Sequence, residues 1–191
     1  MKNLTYCRIV LLGPPGSGKG TQAQMLSEFT GLKHIASGNL FRDHLRRGTE
    51  LGTKASKFME KGLLVPDRIT IKMVTEAVLD SSCSSGFMLD GFPRNLAQAE
   101  SLDDLLQGRN SAADLSLLLV VPEAHLIRRM LNRGRPDDTI DTIKTRLKIF
   151  RQETEPLIDY YRDRIQFEEI DGLGDIEEVQ LRMRGVLTPS L

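Results

Sequence analysis

Apolar residues along the chain occur in short, nearly continuous runs and in longer stretches with helical spacing. The short runs predict five β-strands, at residues 6–12, 33–36, 86–90, 114–121 and 166–170. The run at 115–121 is almost entirely apolar, which is typical of a parallel strand covered on both faces of its sheet.

The longer stretches predict helices at residues 18–29, 40–47, 51–61, 69–79, 96–106, 123–132, 140–162 and 176–186. Because strands and helices alternate over most of the chain, the pattern predicts an α/β fold with a doubly wound, five-stranded parallel sheet. The length is that of one domain, which we place over residues 1–191.

Two segments interrupt this alternation. Residues 37–80 hold three helical stretches without a strand between them, so we expect a helical insertion on the rim of the sheet, over residues 37–66. Residues 133–138 form a short charged loop between two predicted helices, and we expect a short lid over residues 129–139. Both positions suit elements that close over a bound ligand.

The composition narrows the classes of function. Lysine plus arginine equal aspartate plus glutamate at 26 each, and this zero net charge argues against a nonspecific nucleic-acid binder. The two cysteines, Cys7 and Cys83, match no metal-ligand spacing, so we expect reduced thiols and no structural zinc. No apolar stretch is long enough for a membrane span or a signal segment; we expect no membrane partner, a cytoplasmic location and a monomer.

The strongest chemical signal is the glycine-rich segment at residues 13–21, which follows the apolar run at 8–12 directly. Its glycines allow backbone N–H groups to turn toward an anion, and the start of the next helix adds a partial positive charge. Lys19 stands where the lysine of a Walker A loop reaches the terminal phosphates of a nucleotide. The sequence therefore predicts a P-loop NTPase-type fold that binds a nucleoside triphosphate, although Gly20 replaces the usual Ser or Thr and Thr21 follows one place later.

A second signal lies at the end of the strand at 86–90, where Asp90 is followed by Gly91 and, three residues on, by Arg94. Ligands of open α/β sheets bind outside the carboxyl ends of the strands. We therefore expect Asp90 to hold Mg²⁺ through water and Arg94 to bind a second phosphate.

Arginines are concentrated near these elements, at positions 42, 94, 129, 133, 135 and 146. Phosphoryl transfer spreads negative charge over the moving group, and the planar guanidinium is well suited to hold it. Arg129 and Arg133 are four residues apart and so share one helix face, and the loop that follows can bring Arg146 to the same place. The pattern favours a phosphoryl-transfer site over a solvated charged surface.

These motifs resemble those of the adenylate kinases, in the nucleoside monophosphate kinase family, over nearly the whole chain. The segments that carry the resemblance are 13–22, 35–42, 62–67, 91–94 with Gln98, and 171–174. In that family glycine after the loop lysine is normal, and residues 37–66 would be the monophosphate-binding insertion. The short loop at 133–138 has no cysteines, so the chain resembles the short-lid form without structural zinc.

The resemblance implies a reversible transfer of the terminal phosphoryl group of Mg-ATP to AMP, giving two ADP. It implies catalytic roles for Lys19, Arg94, Arg129, Arg133, Arg135 and Arg146. ATP would contact Gly16, Ser17, Gly18, Lys19, Gly20, Thr21, Arg129, Arg133, Gly174 and Ile176. AMP would contact Ser37, Arg42, Leu64, Val65, Gly91, Arg94, Gln98, Arg135 and Arg146, and Mg²⁺ would be held near Asp90. Ser37 replaces the more frequent threonine and keeps the hydroxyl.

Two alternatives stay open. UMP/CMP kinases use the same chemistry with a pyrimidine acceptor; Gln98 favours adenine because its amide offers one donor and one acceptor edge, whereas those relatives carry asparagine near this position. A nucleotide-binding switch module without turnover would explain Lys19 and Asp90. It would leave the converging arginines and the second phosphate site without a purpose.

Overall fold

The computed structural model describes residues 7–187. Its strands are β1 (Arg8–Leu12), β2 (Lys33–Ala36), β3 (Phe87–Asp90), β4 (Leu115–Val120) and β5 (Gln166–Asp171). They form one sheet in the order β2-β3-β1-β4-β5, and every pairing is parallel. The predicted five-stranded parallel sheet is therefore confirmed.

Helices connect these strands and cover the sheet on both faces. They are α1 (Lys19–Thr30), α2 (Ser37–Arg46), α3 (Glu50–Met59), α4 (Asp67–Leu79), α5 (Leu96–Gln107), α6 (Glu123–Arg133), α7 (Ile140–Ile149), α8 (Leu157–Arg162) and α9 (Ile176–Leu187). A 3₁₀ turn at Ser81–Cys83 precedes β3. Across residues 7–187, no helix is long and apolar enough to cross a membrane.

Alternating side chains of β1 divide the core between the two faces of the sheet. Ile9 and Leu11 pack into one apolar cluster with residues of α1 and α9. Val10 and Leu12 pack into the other cluster, with residues of α4, α5 and α8. Because all four side chains are at most 2% exposed, β1 is anchored from both sides, and the loop that follows it starts from a fixed point.

The helical insertion has a small core of its own. Phe41 of α2, Ala55 of α3 and Met73 of α4 pack with Val65, so the insertion joins the sheet through α4. The Thr49 side chain caps α3 by accepting a hydrogen bond from the Gly52 N–H at 3.1 Å. These buried contacts hold α2, α3 and α4 together.

Two predicted helix boundaries are wrong. The helix predicted over 140–162 is divided into α7, a π-helical turn at Phe150–Thr154 and the short helix α8. The Thr154 hydroxyl donates to the Arg94 carbonyl at 2.7 Å, a tertiary bond across 60 residues, and Pro156, at the start of α8, has no N–H to continue the α-helical ladder. Helix α2 also begins at Ser37, three residues before its predicted start at 40.

Candidate active site

The carboxyl ends of the strands open into a cleft of about 970 Å³ between the loop after β1, the helical insertion and the connection from α6 to α7. Every residue that the sequence marked for ATP, AMP or magnesium lines this cleft. The motifs lie far apart along the chain, and the parallel sheet brings them to one edge. The individual roles of these residues stay predictions.

The loop after β1 wraps its lysine. Lys19 Nζ donates hydrogen bonds to the carbonyl oxygens of Gly13 at 2.6 Å and Pro14 at 2.9 Å. A Cβ on Gly13 would lie 2.8 Å from the Leu119 carbonyl, and one on Gly16 would lie 2.8 Å from the Leu126 carbonyl; both glycines also have positive φ. Only glycine fits at these two places, so the loop has one shape that β4 and α6 enforce.

Helix α1 begins at Lys19 without a side-chain cap and without an acidic residue in its first turn. Its N-terminal N–H groups and partial positive charge are thus available to an anion. Burial lowers the pKa of Lys19 to about 8; Asp90 opposes this shift, and Arg94 and Arg133 add to it. Because burial disfavours the charged form of Lys19 more than Asp90 favours it, a phosphate ligand would stabilise the ammonium group.

Asp90 stands at the end of β3, facing the start of α1. A Cβ on Gly20 would lie 3.3 Å from Asp90 Oδ2, and His34 Nε2 lies 3.6 Å from the same oxygen. Burial raises the pKa of Asp90, but His34 and the charge of Lys19 outweigh burial and hold that pKa below its usual range. The carboxylate is therefore ionised at neutral pH, and it is an oxygen ligand of the type that Mg²⁺ prefers.

The sequence reasoning missed His34. Its position on β2 becomes meaningful only because β2 pairs with β3, with His34 opposite Met88. The order of the strands in the sheet, which the hydrophobic pattern does not specify, decides this contact.

The backbone carbonyl of Gly91 accepts hydrogen bonds from two side chains on the side of the cleft that is predicted to bind AMP. The Ser37 hydroxyl donates to it at 2.6 Å, and Arg94 Nε donates to it at 2.8 Å. Gly91 has a φ of 71°, and a Cβ there would lie 2.9 Å from both partner side chains. The carbonyl therefore holds the hydroxyl and the guanidinium side by side, with the outer guanidinium nitrogens left for a ligand.

Gln98, the predicted base reader, is 1% exposed and yet lines the cleft. Its Oε1 accepts the Arg94 backbone N–H at 2.9 Å, and its Nε2 donates to Asp67 Oδ1 at 2.6 Å. Asp67 ends the segment 62–67 that carries part of the resemblance but was not among the predicted site residues, because its contact with Gln98, 31 positions later in the chain, is tertiary.

The arginines of the predicted lid are held by two aspartates. Arg133 makes two bonds of 2.9 Å to the carboxylate of Asp138, and Arg146 donates to the same carboxylate at 2.8 Å. Arg146 also bonds Asp137 and donates to the Met59 carbonyl of the insertion at 3.3 Å. A guanidinium that binds a carboxylate through two parallel hydrogen bonds can bind a phosphate in the same way.

The remaining arginines differ in their surroundings. Arg129 donates to the backbone carbonyls of Gly172 at 3.0 Å and Ser17 at 3.3 Å, so it ties the loop after β5 to the phosphate loop. Burial lowers the pKa of Arg135, and the neighbouring charges of Arg133 and Arg42 lower it further. Arg135 therefore lies in a positive region that an anionic ligand would relieve.

The loop after β5 forms the far wall of the cleft. Gly174 has a φ of 106°, and the Ile176 carbonyl accepts a hydrogen bond from Gln22 Nε2 of α1 at 2.9 Å. Ile176 is half exposed toward the cleft mouth. Ile176 thus supplies apolar surface at the wall of the cleft, of the kind that lines ligand pockets.

Comparison with known proteins decides the family. The sequence model described as adenylate kinase matches residues 11–166, most of the chain. The chain belongs to the adenylate kinase family. It is 47% identical to an adenylate kinase of Nocardia farcinica over 175 residues, 92% of this chain and 96% of that protein. It is also 47% identical to one of Thermobifida fusca over 179 residues, covering 92% and 95%. The prediction of a nucleoside monophosphate kinase is confirmed.

A more distant family member differs in length. An adenylate kinase of Clostridium acetobutylicum is 40% identical over 211 aligned positions, covering 94% of this chain and 98% of that protein. The alignment has more positions than this chain has residues, so the Clostridium adenylate kinase contains segments that this chain lacks. In the present protein, no three His, Cys, Asp or Glu side chains of residues 7–187 cluster in a metal-binding arrangement.

Proposed function

We propose that the protein transfers the terminal phosphoryl group of Mg-ATP to the phosphate of AMP, reversibly, giving two ADP. The observation that carries the proposal is the presence of two positive regions in one cleft, with arginines between them. Arg133 is close enough to Lys19 to lower its pKa, and Arg146 is close enough to Arg94 to do the same. The lid arginines therefore stand within electrostatic range of both phosphate sites.

On the donor side, the backbone N–H groups of the loop from Gly16 to Thr21 bind the phosphates together with Lys19. Arg129 holds this loop against the loop after β5, where Gly174 and Ile176 contact the adenine. On the acceptor side, Arg42 and Arg94 bind the AMP phosphate. The backbone at Leu64 and Val65 contacts the AMP adenine, as do Ser37, Gln98 and the backbone of Gly91.

The transferring group is stabilised by Arg133, Arg135 and Arg146. Arg133 and Arg146 bind Asp138, and exchanging this carboxylate for phosphate oxygens would require little rearrangement of the guanidinium groups. The attacking AMP phosphate is ionised at neutral pH, so the reaction needs no general base. Catalysis then depends on positioning and on charge stabilisation.

Exclusion of water is the remaining requirement, because an open site would hydrolyse ATP. The insertion over 37–66 and the lid over 129–139 perform it by closing over the cleft. Arg146 links them, since it bonds Asp137 and Asp138 of the lid and donates to the Met59 carbonyl of the insertion. We therefore expect the insertion and the lid to move together through their shared contacts with Arg146.

The residues present fit a magnesium ion. Asp90 supplies an ionised carboxylate that faces the start of α1, and His34 Nε2 lies 3.6 Å from its Oδ2. Asp90 would hold the ion through water, and the ion would neutralise charge on the donor phosphates.

We further infer that the protein acts in the cytoplasm as a monomer on small nucleotides. Its charges balance, which disfavours a polyanionic partner. Cys7 and Cys83 are both free thiols, as is usual in a reducing compartment.

A coupled assay with Mg-ATP and, separately, AMP, UMP, CMP, GMP or no acceptor tests the proposal. We expect rapid ADP formation with AMP and little with the other acceptors. Preference for UMP or CMP would keep the mechanism and overturn the acceptor assignment. Binding of ATP without transfer to any acceptor would contradict the kinase and leave a nucleotide-binding module.

A further inference from the structure

Gln98 is part of a closed group of hydrogen bonds behind the acceptor side of the cleft. Asp67, the first residue of α4, accepts from Gln98 Nε2 at 2.6 Å and from Asn95 Nδ2 at 3.1 and 3.2 Å. Asn95 Oδ1 in turn accepts the Gln98 backbone N–H at 2.9 Å, which caps α5. Gln98 lines the cleft, whereas Asp67 and Asn95 stand behind its wall.

The two partners of the Gln98 amide allow only one orientation of it. An ionised carboxylate can only accept, so Asp67 must face the Gln98 NH₂ group; a backbone N–H can only donate, so Arg94 must face the Gln98 carbonyl oxygen. Rotating the amide by 180° would place donor against donor at Arg94 and acceptor against acceptor at Asp67. Such a rotation would leave the Arg94 N–H without its acceptor and would set the Gln98 carbonyl oxygen against the Asp67 carboxylate.

This orientation leaves a defined recognition edge. A side-chain amide has two N–H donors and two acceptor lone pairs, and the contacts to Asp67 and Arg94 use one of each. One donor and one acceptor of Gln98 remain for a ligand, in a fixed order. Adenine can accept from Gln98 Nε2 at its N1 and donate to Gln98 Oε1 from its N6 amino group. A 6-oxopurine has a donor at N1 and an acceptor at O6, so in the same position it would need the amide in the reversed orientation.

We propose that Asp67 is a positioning residue that fixes the Gln98 amide and thereby makes the acceptor site select adenine over 6-oxopurines. The inference rests on the proposed function, since it concerns the AMP site of that reaction. Asp67 touches no substrate in this account. It acts by removing the freedom of Gln98 to present the opposite edge.

The test compares kcat/KM for AMP and for inosine 5′-monophosphate in the wild type and in two variants. Asp67→Ala removes the acceptor, and Asp67→Ser offers a hydroxyl that can donate or accept while remaining compatible with a helix start. Loss of one of the two orienting bonds should lower the AMP-to-inosine-monophosphate ratio of kcat/KM roughly tenfold in both variants, with KM for ATP unchanged. Thermal unfolding confirms that each variant is folded at the assay temperature.

Glu50→Ala is the matched control. Glu50 is the first residue of α3, as Asp67 is of α4, and its carboxylate pairs with the exposed Lys54, so its loss also removes a first-turn carboxylate. This variant should keep the wild-type ratio of the two acceptors.

Equal loss of kcat/KM for both acceptors in the Asp67 variants, with the ratio kept, would mean that Asp67 only supports the fold, and would overturn the inference. The ratio is also independent of how much active enzyme each preparation contains. The proposed function fails separately, if the wild type does not phosphorylate AMP at all. A wild type that phosphorylates AMP and Asp67 variants that keep its selectivity would leave the proposed function standing and reject the role of Asp67.

Discussion

Arg146 donates a 2.8 Å hydrogen bond to Asp138, a carboxylate whose side chain is only 1% exposed and that Arg133 also binds through two hydrogen bonds. Asp138 thus pairs with two arginines at once, and Arg146 also pairs with Asp137. Because both guanidinium groups are already held at the cleft, the proposed phosphoryl transfer does not have to order them anew in each turnover.

The first prediction concerns acid stability. Burial raises the pKa of Asp138, but the hydrogen bond and charge of Arg133 and the charge of Arg146 outweigh burial and lower it. A lowered carboxylate pKa stabilises the folded state above the unfolded value of about 4 and loses this contribution as pH falls through the folded pKa. Asp138→Asn should therefore lower the free energy of unfolding at neutral pH by about 1.5–3 kcal/mol.

Urea denaturation of both proteins between pH 7 and pH 3 measures this effect. The difference between wild type and Asp138→Asn should shrink once the pH falls below about 4. Asp159→Asn is the control, because the Asp159 carboxylate is exposed and pairs with Arg162 on the same helix. A difference that stays constant across the whole range would contradict the assignment.

The second prediction separates a kinase from a nucleotide-binding module. Arg146→Lys keeps the charge but loses the planar fork that holds two oxygens. We expect kcat to fall roughly 100-fold or more, since a donor to the transferring group is lost, while the Kd for ATP changes less than about threefold. Arg151→Lys, which alters only an exposed pair with Glu123, should leave kcat unchanged. A parallel loss of ATP affinity in Arg146→Lys would indicate a binding role instead.

The sequence predicted those parts of the site whose residues are neighbours along the chain. The loop from Gly13 to Lys19 is contiguous, and Asp90 directly ends a buried strand, so short-range pattern and strand direction suffice to place them at one edge. The sheet could be predicted for the same reason, because alternating strands and helices leave few topologies open.

The parts that the sequence did not predict depend on tertiary pairing. The contact of Asp67 with Gln98 exists only because α4 lies against α5, and the contact of His34 with Asp90 only because β2 lies beside β3. The π-helical turn inside the predicted helix 140–162 coincides with a bond between Thr154 and Arg94, which are 60 positions apart, although Pro156 beside it is visible in the sequence. The hydrophobic periodicity of a segment indicates its secondary structure, but it does not indicate which distant residues that segment will contact.

The third prediction is a pH dependence of ATP affinity. Because burial lowers the pKa of Lys19 to about 8, the free protein loses this positive charge as pH rises above about 8. A bound triphosphate stabilises the charged form, so ATP affinity should decrease from about pH 8 upward, by up to tenfold per pH unit. Calorimetric titration with Mg-ATP from pH 6.5 to 9.5 measures it.

Lys19→Met provides the comparison for this pH series. It should bind ATP more weakly than the wild type at neutral pH, and it should lack the decrease that begins near pH 8, because no other group in the loop titrates there. The same decrease in Lys19→Met would assign the titration to another group.

The fourth prediction concerns two helix glycines with opposite surroundings. A Cβ on Gly52 of α3 would lie 2.4 Å from the His44 carbonyl carbon and from the Leu45 nitrogen, so the backbones of α2 and α3 touch at this position. Gly52→Ala must push these helices apart, which should cost about 1–3 kcal/mol of stability. Because α2 carries Ser37 and Arg42, KM for AMP should rise while the Kd for ATP stays unchanged.

Gly185→Ala on α9 is the matched change, since a Cβ at Gly185 meets nothing within 4 Å. There the substitution should raise stability by about 0.5–1 kcal/mol, because alanine loses less conformational freedom than glycine in a helix. Urea denaturation and steady-state kinetics of both variants measure the pair. An equal rise in KM for AMP and in the Kd for ATP in Gly52→Ala would contradict this prediction. It would mean that the cluster of Phe41, Ala55, Val65 and Met73 supports both nucleotide sites and not the acceptor site specifically.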